Sequence, residues 1–212
     1  MKIKTKKEQH KDDLRQLIIE AAKKLFSEEG YQATSIRKIA KVIGYSPTTI
    51  YLYFKDKNDI LYALHQAGFM MLRDRFLPLA VVEDPFERLK ALGKNYIDFA
   101  LQNPEYYAAM FLMMEPMEFL EDHCVANEWP EGERVFEFLE QTILECQTKG
   151  YFVNQEYSLV ALQAWSSVHG LVTLAITKHL LKILDMKGIP GDINKLLDSI
   201  FDVYVAFLNG NK

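Results

Sequence analysis

The stretch "GYSPTTIYLYF", from Gly44 to Phe54, joins a glycine turn to a very short helical segment and holds three tyrosines. Ser46 is a suitable N-cap, and Pro47 fits the first helical position, where a backbone N–H has no helical partner. Ile50 and Phe54 lie one turn apart and can face a core together. The tyrosine and threonine hydroxyls then lie outside, where they suit phosphates and base edges better than burial.

Helical signals continue on both sides of this stretch. Apolar spacing predicts a first helix over residues 12–29, which Gly30 ends. A second helix is predicted from Thr34 as N-cap to Gly44, so very few residues separate it from the short helix. Asp56 is expected to cap a fourth. Two compact helices joined by a short glycine-containing turn form a helix-turn-helix, whose second helix enters the major groove.

The rest of the chain also has helical spacing, and strand signals are nearly absent. Predicted helices follow the Asp-Pro and Asn-Pro steps at positions 84 and 103, with Pro116 closing the second; further ones cover residues 131–149, 155–185 and 192–208. We therefore predict an all-α fold. An N-terminal three-helix helix-turn-helix DNA-binding domain occupies residues 1–57, and a helical ligand-binding and dimerisation domain occupies residues 58–212.

The charge distribution of the 212-residue chain supports this division. Residues 1–57 hold 13 Lys and Arg against 7 Asp and Glu, a net charge of +6, whereas residues 58–212 hold 12 against 22, a net charge of -10. A basic N-terminal region followed by an acidic C-terminal region indicates that the N-terminal region binds a polyanion. Two separate cysteines, no signal peptide and no run of about 18 apolar residues predict a cytoplasmic protein with no membrane partner.

The stretch "FSEEGYQATSIRKIAKVIGYSPTTIYLYFKDKNDIL", residues 26–61, resembles the DNA-binding domain of the TetR family of bacterial transcriptional regulators. The matching features are "GY.ATSIR.IA" followed by "G.S..T.Y.YF..K..L". The resemblance implies double-stranded DNA as partner and a docked recognition helix. The predicted DNA contacts from the outward face, the neighbouring lysines and this resemblance are Thr34, Arg37, Pro47, Thr48, Thr49, Tyr51, Tyr53, Lys55 and Lys57.

The long predicted helix near the C-terminus carries two apolar stripes, one through Leu162 and Val172 and one through Val160 and Leu171. A helix that is apolar on two faces needs two partners, its own domain and most simply a second copy of itself. The last two helices are therefore predicted to form a homodimer, as TetR-like regulators do. "WSSVHGL", residues 165–171, also resembles the signature of the WHG-type C-terminal domain of this family.

Aromatic and methionine side chains are frequent in the fifth to seventh predicted helices. Methionine fills irregular space, and cavities lined by apolar side chains of this kind are typical of small-molecule sites. The family resemblance implies an effector cavity here. The candidate effector-binding residues are Tyr96, Phe99, Tyr107, Met110, Phe111, Met114, Phe136, Trp165 and His169. For each of them ordinary core packing is the competing interpretation. His169 in particular is read either as a hydrogen-bonded structural histidine or as a polar anchor for the ligand.

Motifs for catalysis are absent from the sequence: it has no P-loop, no G-x-G-x-x-G and no G-x-S-x-G. The histidines show no metal-ligand spacing, so no metal and no cofactor are predicted. The sequence thus indicates a DNA-binding regulator and not an enzyme, specifically a homodimeric repressor released by an apolar or amphipathic effector. The alternatives are a constitutive regulator without effector and a helical enzyme that uses His169 or His123.

Overall fold

The computed structural model describes residues 5–123, 129–188 and 192–210, apart from the side chains of Lys7, Asp122 and His123. The first lysines of the predicted basic arm, the His123 side chain and Cys124 lie outside this description. The all-α prediction is confirmed, because the described residues contain helices and no strand. The helices are α1 Lys6–Glu29, α2 Ile36–Ile43, α3 Pro47–Tyr51, α4 Lys57–Phe76, α5 Pro85–Gln102, α6 Pro104–Tyr107, α7 Glu115–His123, α8 Pro130–Thr148, α9 Tyr157–Ile176, α10 His179–Lys187 and α11 Ile193–Asn209.

The chain divides into two compact units. The first comprises Met1–Phe69 and Glu105–Trp129, and the second comprises Met70–Pro104 and Pro130–Lys212. The first unit therefore contains the helix-turn-helix together with a segment from the middle of the chain. The predicted domain boundary after residue 57 stays a prediction.

The ends of the N-terminal helices follow from local capping. Gly44 has φ 73°, a left-handed conformation that glycine adopts without penalty, and its N–H bonds the last turn of α2. The Ser46 hydroxyl accepts a hydrogen bond from the Thr49 N–H at 3.1 Å, which starts α3. The N-cap of α2 is Ser35, whose hydroxyl accepts from the Lys38 N–H, so the prediction of Thr34 as cap was wrong by one residue.

The first helix begins six residues before its predicted start. Thr5 and Glu8 form a reciprocal capping box, in which the Thr5 N–H donates to the Glu8 carboxylate at 2.7 Å. This box stabilises a polar first turn that apolar periodicity alone does not reveal. At the other end, Gly30 ends the helix as predicted.

Two predictions for the later helices were wrong. The predicted helix over residues 155–185 is broken, because Lys178 adopts a left-handed conformation with φ 63° and the Thr177 hydroxyl donates to the Thr173 carbonyl at 2.7 Å. Pro116 lies in the first turn of α7, where proline is tolerated, instead of closing the preceding helix. That preceding segment continues from α6 into a π-helical turn, Ala108–Leu112.

The second unit is built on α5, α8 and α9, which pack against one another, with α10 and α11 on α9. Their main core consists of buried residues from these helices and the α8–α9 loop: Phe86, Leu89, Ile143, Cys146, Phe152, Val160, Ala161 and Leu208. By length and composition alone, α9 is long and apolar enough to cross a membrane. This is weak evidence for a span, because long core helices have the same composition.

The contact between α5 and α11 depends on Gly93. A Cβ atom at this position would lie 2.7 Å from Cε2 of the Phe201 ring, which is buried. We expect Gly93→Ala to lower the free energy of unfolding by about 1–3 kcal/mol through overpacking. Urea unfolding measures this change.

A double-mutant cycle supplies the control for this contact. In a Phe201→Leu background the ring atoms are gone, so Gly93→Ala should cost less than in the native chain. An equal cost in both backgrounds would show that the Phe201 ring is not the limiting contact.

Candidate nucleic-acid interface

The orientation of α3 is set by two buried anchors. Ile50 and Phe54 are fully buried, and the guanidinium of Arg15 on α1 lies 5.0 Å from the centre of the Phe54 ring. Because these side chains point inward, the opposite face of the helix is presented to solvent. Tyr51 is 57% exposed and Leu52 is 75% exposed, as the spacing predicted.

The predicted DNA contacts fall into three groups by exposure. The exposed ones are Arg37, Thr48, Tyr51 and Lys55; the half-buried ones are Pro47, Thr49, Tyr53 and Lys57; and the buried one is Thr34. The exposed group covers α2, α3 and the loop before α4. Hydroxyl, phenol and cationic groups of this kind can bond phosphate oxygens and base edges.

Thr34 is placed differently from what the sequence led us to expect. Its side chain is buried, and its hydroxyl donates to the Gly30 carbonyl at 2.9 Å. The hydroxyl therefore closes the turn between α1 and α2 instead of facing solvent. Thr49 is also engaged internally, since its hydroxyl lies 2.9 Å from that of Ser46.

Lys57 connects α4 to the turn after α1. Its ammonium donates to the Tyr31 carbonyl at 2.9 Å and lies 4.0 Å from the centre of the Tyr31 ring. The Tyr31 hydroxyl in turn donates to the Asn58 side chain. Burial, together with nearby carboxylates, raises the pKa of Tyr31 to about 12, so the phenol remains a donor. Lys57 thus has a structural role in addition to its predicted contact with DNA.

The first turn of α4 is already supplied with carboxylates. The Asp56 side chain accepts from the Asp59 N–H at 3.0 Å, and the Asp59 side chain accepts from the Lys55 N–H at 2.9 Å. The dipole of a helix N-terminus can attract a phosphate. Asp56 thus occupies one N–H of this helix end, and a phosphate nearby would also meet the carboxylates of Asp56 and Asp59, so its binding would depend on side-chain cations such as Lys55.

Two exposed side chains near α3 were not among the predicted contacts. Tyr45 lies in the turn, and Val42 lies at the end of α2, both exposed. Val42 falls outside the buried stripe of Ile36, Ile39 and Ala40. An apolar residue off the buried stripe, next to a turn, is the signal that could have identified this part of the surface.

Four candidate effector residues meet in the second unit. The Tyr96 hydroxyl lies 2.8 Å from Nδ1 of His169, and the Trp165 indole N–H donates to the same hydroxyl at 3.3 Å. The Phe136 ring lies 6.1 Å from the Trp165 ring. Burial lowers the pKa of His169, so the ring is neutral near pH 7. These groups bond one another, as the structural interpretation of His169 requires.

The other candidate effector residues are distributed differently. Phe99 is fully buried in the second unit, beneath the guanidinium of Arg75. In the first unit, Tyr107 and Phe111 have ring centres 5.1 Å apart, and Met110 is buried near Gly68. Met114 is 74% exposed, which places it at the surface instead of in an apolar wall.

Metal chemistry has no visible basis in the described part of the chain. No group of three His, Cys, Asp or Glu side chains there could hold an ion. The buried thiol of Cys146 is the described free cysteine, and burial raises its pKa to about 12, which leaves it unreactive near neutral pH.

An exposed recognition helix behind a left-handed glycine turn, on a basic N-terminal region, defines a DNA-binding transcriptional regulator. The family model "Bacterial regulatory proteins, tetR family" matches residues 18–64. "Tetracyclin repressor-like, C-terminal domain" matches residues 89–204, more than half of the chain. The chain belongs to the TetR family of bacterial transcriptional regulators. The narrower resemblance to the WHG-type domain stays a prediction.

Curated relatives match over part of the chain. The "Fatty acid metabolism regulator protein" of Bacillus subtilis is 51% identical over 47 residues, which cover 22% of this chain and 24% of that protein. An HTH-type transcriptional regulator of Staphylococcus aureus (strain USA300) is 48% identical over 88 residues, 42% of this chain and 46% of that protein. The matches thus span less than half the length of these relatives. They are DNA-binding regulators and not enzymes, as the sequence predicted.

Solved structures share the fold over nearly the whole chain. The fatty acid degradation regulator FadR from Bacillus halodurans has a TM-score of 0.69 at 22% identity and covers 96% of this chain and 97% of its own. A protein of unknown function from Rhodococcus sp. RHA1 has a TM-score of 0.67 at 22% identity, covering 92% and 95%. At this identity the similarity establishes the fold.

Tyr51 offers a direct test of the recognition face. We expect Tyr51→Ala to weaken binding to an operator duplex, selected from random sequences, by about 1–3 kcal/mol, roughly 5- to 160-fold. Tyr157→Ala, which truncates an exposed tyrosine in the second unit, is the matched control and should leave affinity unchanged. Equal affinities of the two variants, measured by fluorescence anisotropy, would contradict the assigned face.

Lys55 and Lys57 should behave differently when truncated. Lys55→Ala should reduce the slope of log affinity against log salt by about one, because an exposed phosphate contact is lost. Lys57→Ala should in addition lower the free energy of unfolding by about 1 kcal/mol, because its ammonium is bound to Tyr31. Binding titrations at several salt concentrations give the salt slope of each variant, and urea unfolding gives its free energy of unfolding. Equal free energies of unfolding for the two variants would refute the structural role of Lys57.

Proposed function

We propose that this protein is a homodimeric, ligand-responsive transcriptional repressor that binds a palindromic operator and is released by a small apolar or amphipathic effector. As a DNA-binding regulator it acts in the cytoplasm, where bacterial DNA lies. The observation that carries the DNA-binding part is the exposed face of α3, with Thr48, Tyr51 and Leu52 held outward by buried Ile50 and Phe54.

The dimer is supported by an uncovered apolar face on α9. Residues at three- and four-residue spacing along this helix are all exposed: Leu159, Leu162, Ser166, Gly170 and Leu174. A Cβ atom at Gly170 would meet no atom within 4 Å, so a second helix could approach closely there. An apolar stripe interrupted by small residues is suited to packing against another helix.

The helix α11 extends this apolar surface. Val203 and Phe207 are exposed, and they line a groove of about 260 Å³ together with Leu171 of α9 and Ile200 of α11. Two helices from each protomer would form a four-helix interface. A two-fold dimer presents two copies of α3 to half-sites about one turn of DNA apart.

The effector part of the proposal depends on population shift. The dimer is proposed to adopt two geometries, one that matches the spacing of the half-sites and one that does not. A ligand that binds the second geometry more tightly lowers operator affinity, and the size of the effect is set by the ratio of its affinities for the two geometries. The names of two similar proteins refer to regulation of fatty acid metabolism or degradation. We propose that the present chain also regulates genes of fatty acid metabolism or degradation, which suits an apolar or amphipathic effector.

A constitutive regulator without effector is the second candidate. The observation in its favour is that the Tyr96 hydroxyl bonds both Trp165 and His169, which supplies internal partners where a ligand anchor was predicted. A ligand-responsive protein loses operator affinity when its effector is added, whereas a constitutive one keeps it. The two candidates share the operator, so one DNA assay separates them.

The experiment that tests the proposed function is selection of random duplexes by the purified full chain, followed by sequencing. The expected result is an enriched palindrome bound with steep salt dependence, because phosphate contacts release counterions. A folded protein that enriches no sequence would refute operator binding. Enrichment of a single half-site would refute the dimeric form of the proposal.

The proposed interface can be tested on α9 itself. Leu162→Glu should convert the dimer to a monomer and weaken palindrome binding, because a carboxylate would be buried without a partner. The matched control is Leu144→Glu on α8: Leu144 is 37% exposed and Leu162 is 42% exposed. Sedimentation of both variants gives the oligomeric state. A dimeric Leu162→Glu variant would place the interface elsewhere.

A further inference from the structure

His65 and Trp129 in the first unit carry buried polar atoms that the described protein leaves without partners. His65, on α4, is 1% exposed, and neither of its ring nitrogens has a hydrogen bond. The indole Nε1 of Trp129 is likewise buried and unpaired. The two rings are neighbours, with centres 6.3 Å apart and planes inclined by 35°.

Three unpaired nitrogens in one place are unusual, because a buried polar group without a partner costs free energy and most such groups are satisfied. Burial lowers the pKa of His65 to about 4, so its ring is neutral near pH 7. A neutral imidazole donates from one nitrogen, and an indole N–H only donates. The pair therefore offers two N–H donors, and the second imidazole nitrogen can accept.

The described residues around this pair are mainly aromatic. The Phe69 ring lies 5.0 Å from the His65 ring and 5.1 Å from the Trp129 ring, and Phe111 packs edge-on against Phe69 at 5.3 Å. Tyr62 stacks on His65 at 5.8 Å. Few polar groups within an apolar wall are characteristic of small-molecule sites.

One wall of this region is a segment that can repack. Phe111 belongs to the π-helical turn Ala108–Leu112, and such turns frequently mark functional sites. Met110 of the same turn lies against Gly68: a Cβ atom there would be 2.5 Å from its sulfur. A thioether adapts to irregular space more readily than a branched side chain. We therefore expect this wall to adjust when a ligand enters.

We propose that His65 and Trp129 bind the carbonyl oxygen of an otherwise apolar ligand, either a carboxylic acid or its neutral ester. The oxygen accepts hydrogen bonds from the indole N–H and from the imidazole N–H. This inference rests on the proposed function and deepens it, since it names the chemical class of the effector and the side chains that recognise it.

The site lies in the same compact unit as the DNA-binding helices, which gives it a route to them. Tyr106, just before the π-helical turn, donates to the Glu20 carboxylate of α1 at 2.8 Å. Lys23 pairs with the same carboxylate at 2.5 Å and lies 4.4 Å from the centre of the Tyr106 ring. A ligand that displaces the turn therefore acts on α1, against which α2 packs.

The test uses the full chain labelled with ¹⁵N-tryptophan. It contains two tryptophans, so Trp165→Phe assigns the indole resonance of Trp129. The probes are octanoate and methyl octanoate, with octyltrimethylammonium as a control of equal chain length that lacks a carbonyl. We expect a saturable shift of the Trp129 indole N–H resonance with a carbonyl probe and none with the control.

The variant His65→Phe keeps an aromatic ring and removes both unpaired nitrogens. It should weaken binding of the effective probe about tenfold, the loss expected for one hydrogen bond. It should also raise the melting temperature of the unliganded protein, because the buried unpaired nitrogens are gone. Unchanged probe affinity in the folded variant would refute the role of His65.

The outcomes separate this inference from the proposed function. A shift with octanoate alone identifies the free acid, and a shift with the ester alone identifies the neutral carbonyl. No shift with either, or an equal shift with the ammonium control, overturns the carbonyl site. Operator binding is measured on the same preparation without probe. Intact operator binding with an unmoved Trp129 resonance refutes this inference alone, whereas lost operator binding refutes the proposed function.

Discussion

Burial of Ile50 and Phe54 behind the left-handed turn at Gly44 is the constraint on which the DNA-binding surface depends. A helix of five residues has no stability of its own, because nucleation costs more than its few hydrogen bonds return. Its conformation is imposed by the Ser46 cap at one end and by the two buried side chains. Burial of Ile50 and Phe54 also determines which side chains of α3 remain exposed. Folding of the helix-turn-helix therefore exposes Tyr51 at the same time.

The first unit links this surface to the middle of the chain through a small number of polar contacts. Lys57 holds the start of α4 to the turn after α1, and Tyr106 holds the segment around the π-helical turn to Glu20. Both contacts are side-chain hydrogen bonds at partly buried positions, of 2.9 Å for Lys57 and 2.8 Å for Tyr106. A ligand bound at His65, as proposed, would act on α1 through the Tyr106 contact without a long chain of intermediaries.

Local chemistry explains which features could be predicted from the sequence. Turn and cap positions such as Gly44 and Ser46 were predicted correctly, because their preferences operate within a few residues. The break at Lys178 was missed, since it depends on a side chain bonding the backbone in a segment with helical spacing. Burial of Thr34 and exposure of Met114 were also missed: both residues lie in connections between helices, where the conformation of the connection decides whether a side chain is buried. Periodicity cannot supply that information.

The composition of the first unit has a consequence for engineering. TetR-like heads are natural candidates for transplantation onto other bodies to build biosensors with new inputs. A chimera joined after residue 57 would separate Glu20 from Tyr106, because the donor of that hydrogen bond lies in Glu105–Trp129, within the same unit. A transplant that carries this segment along preserves the bond. The useful cassette is therefore discontinuous in sequence, and a single cut point cannot excise it.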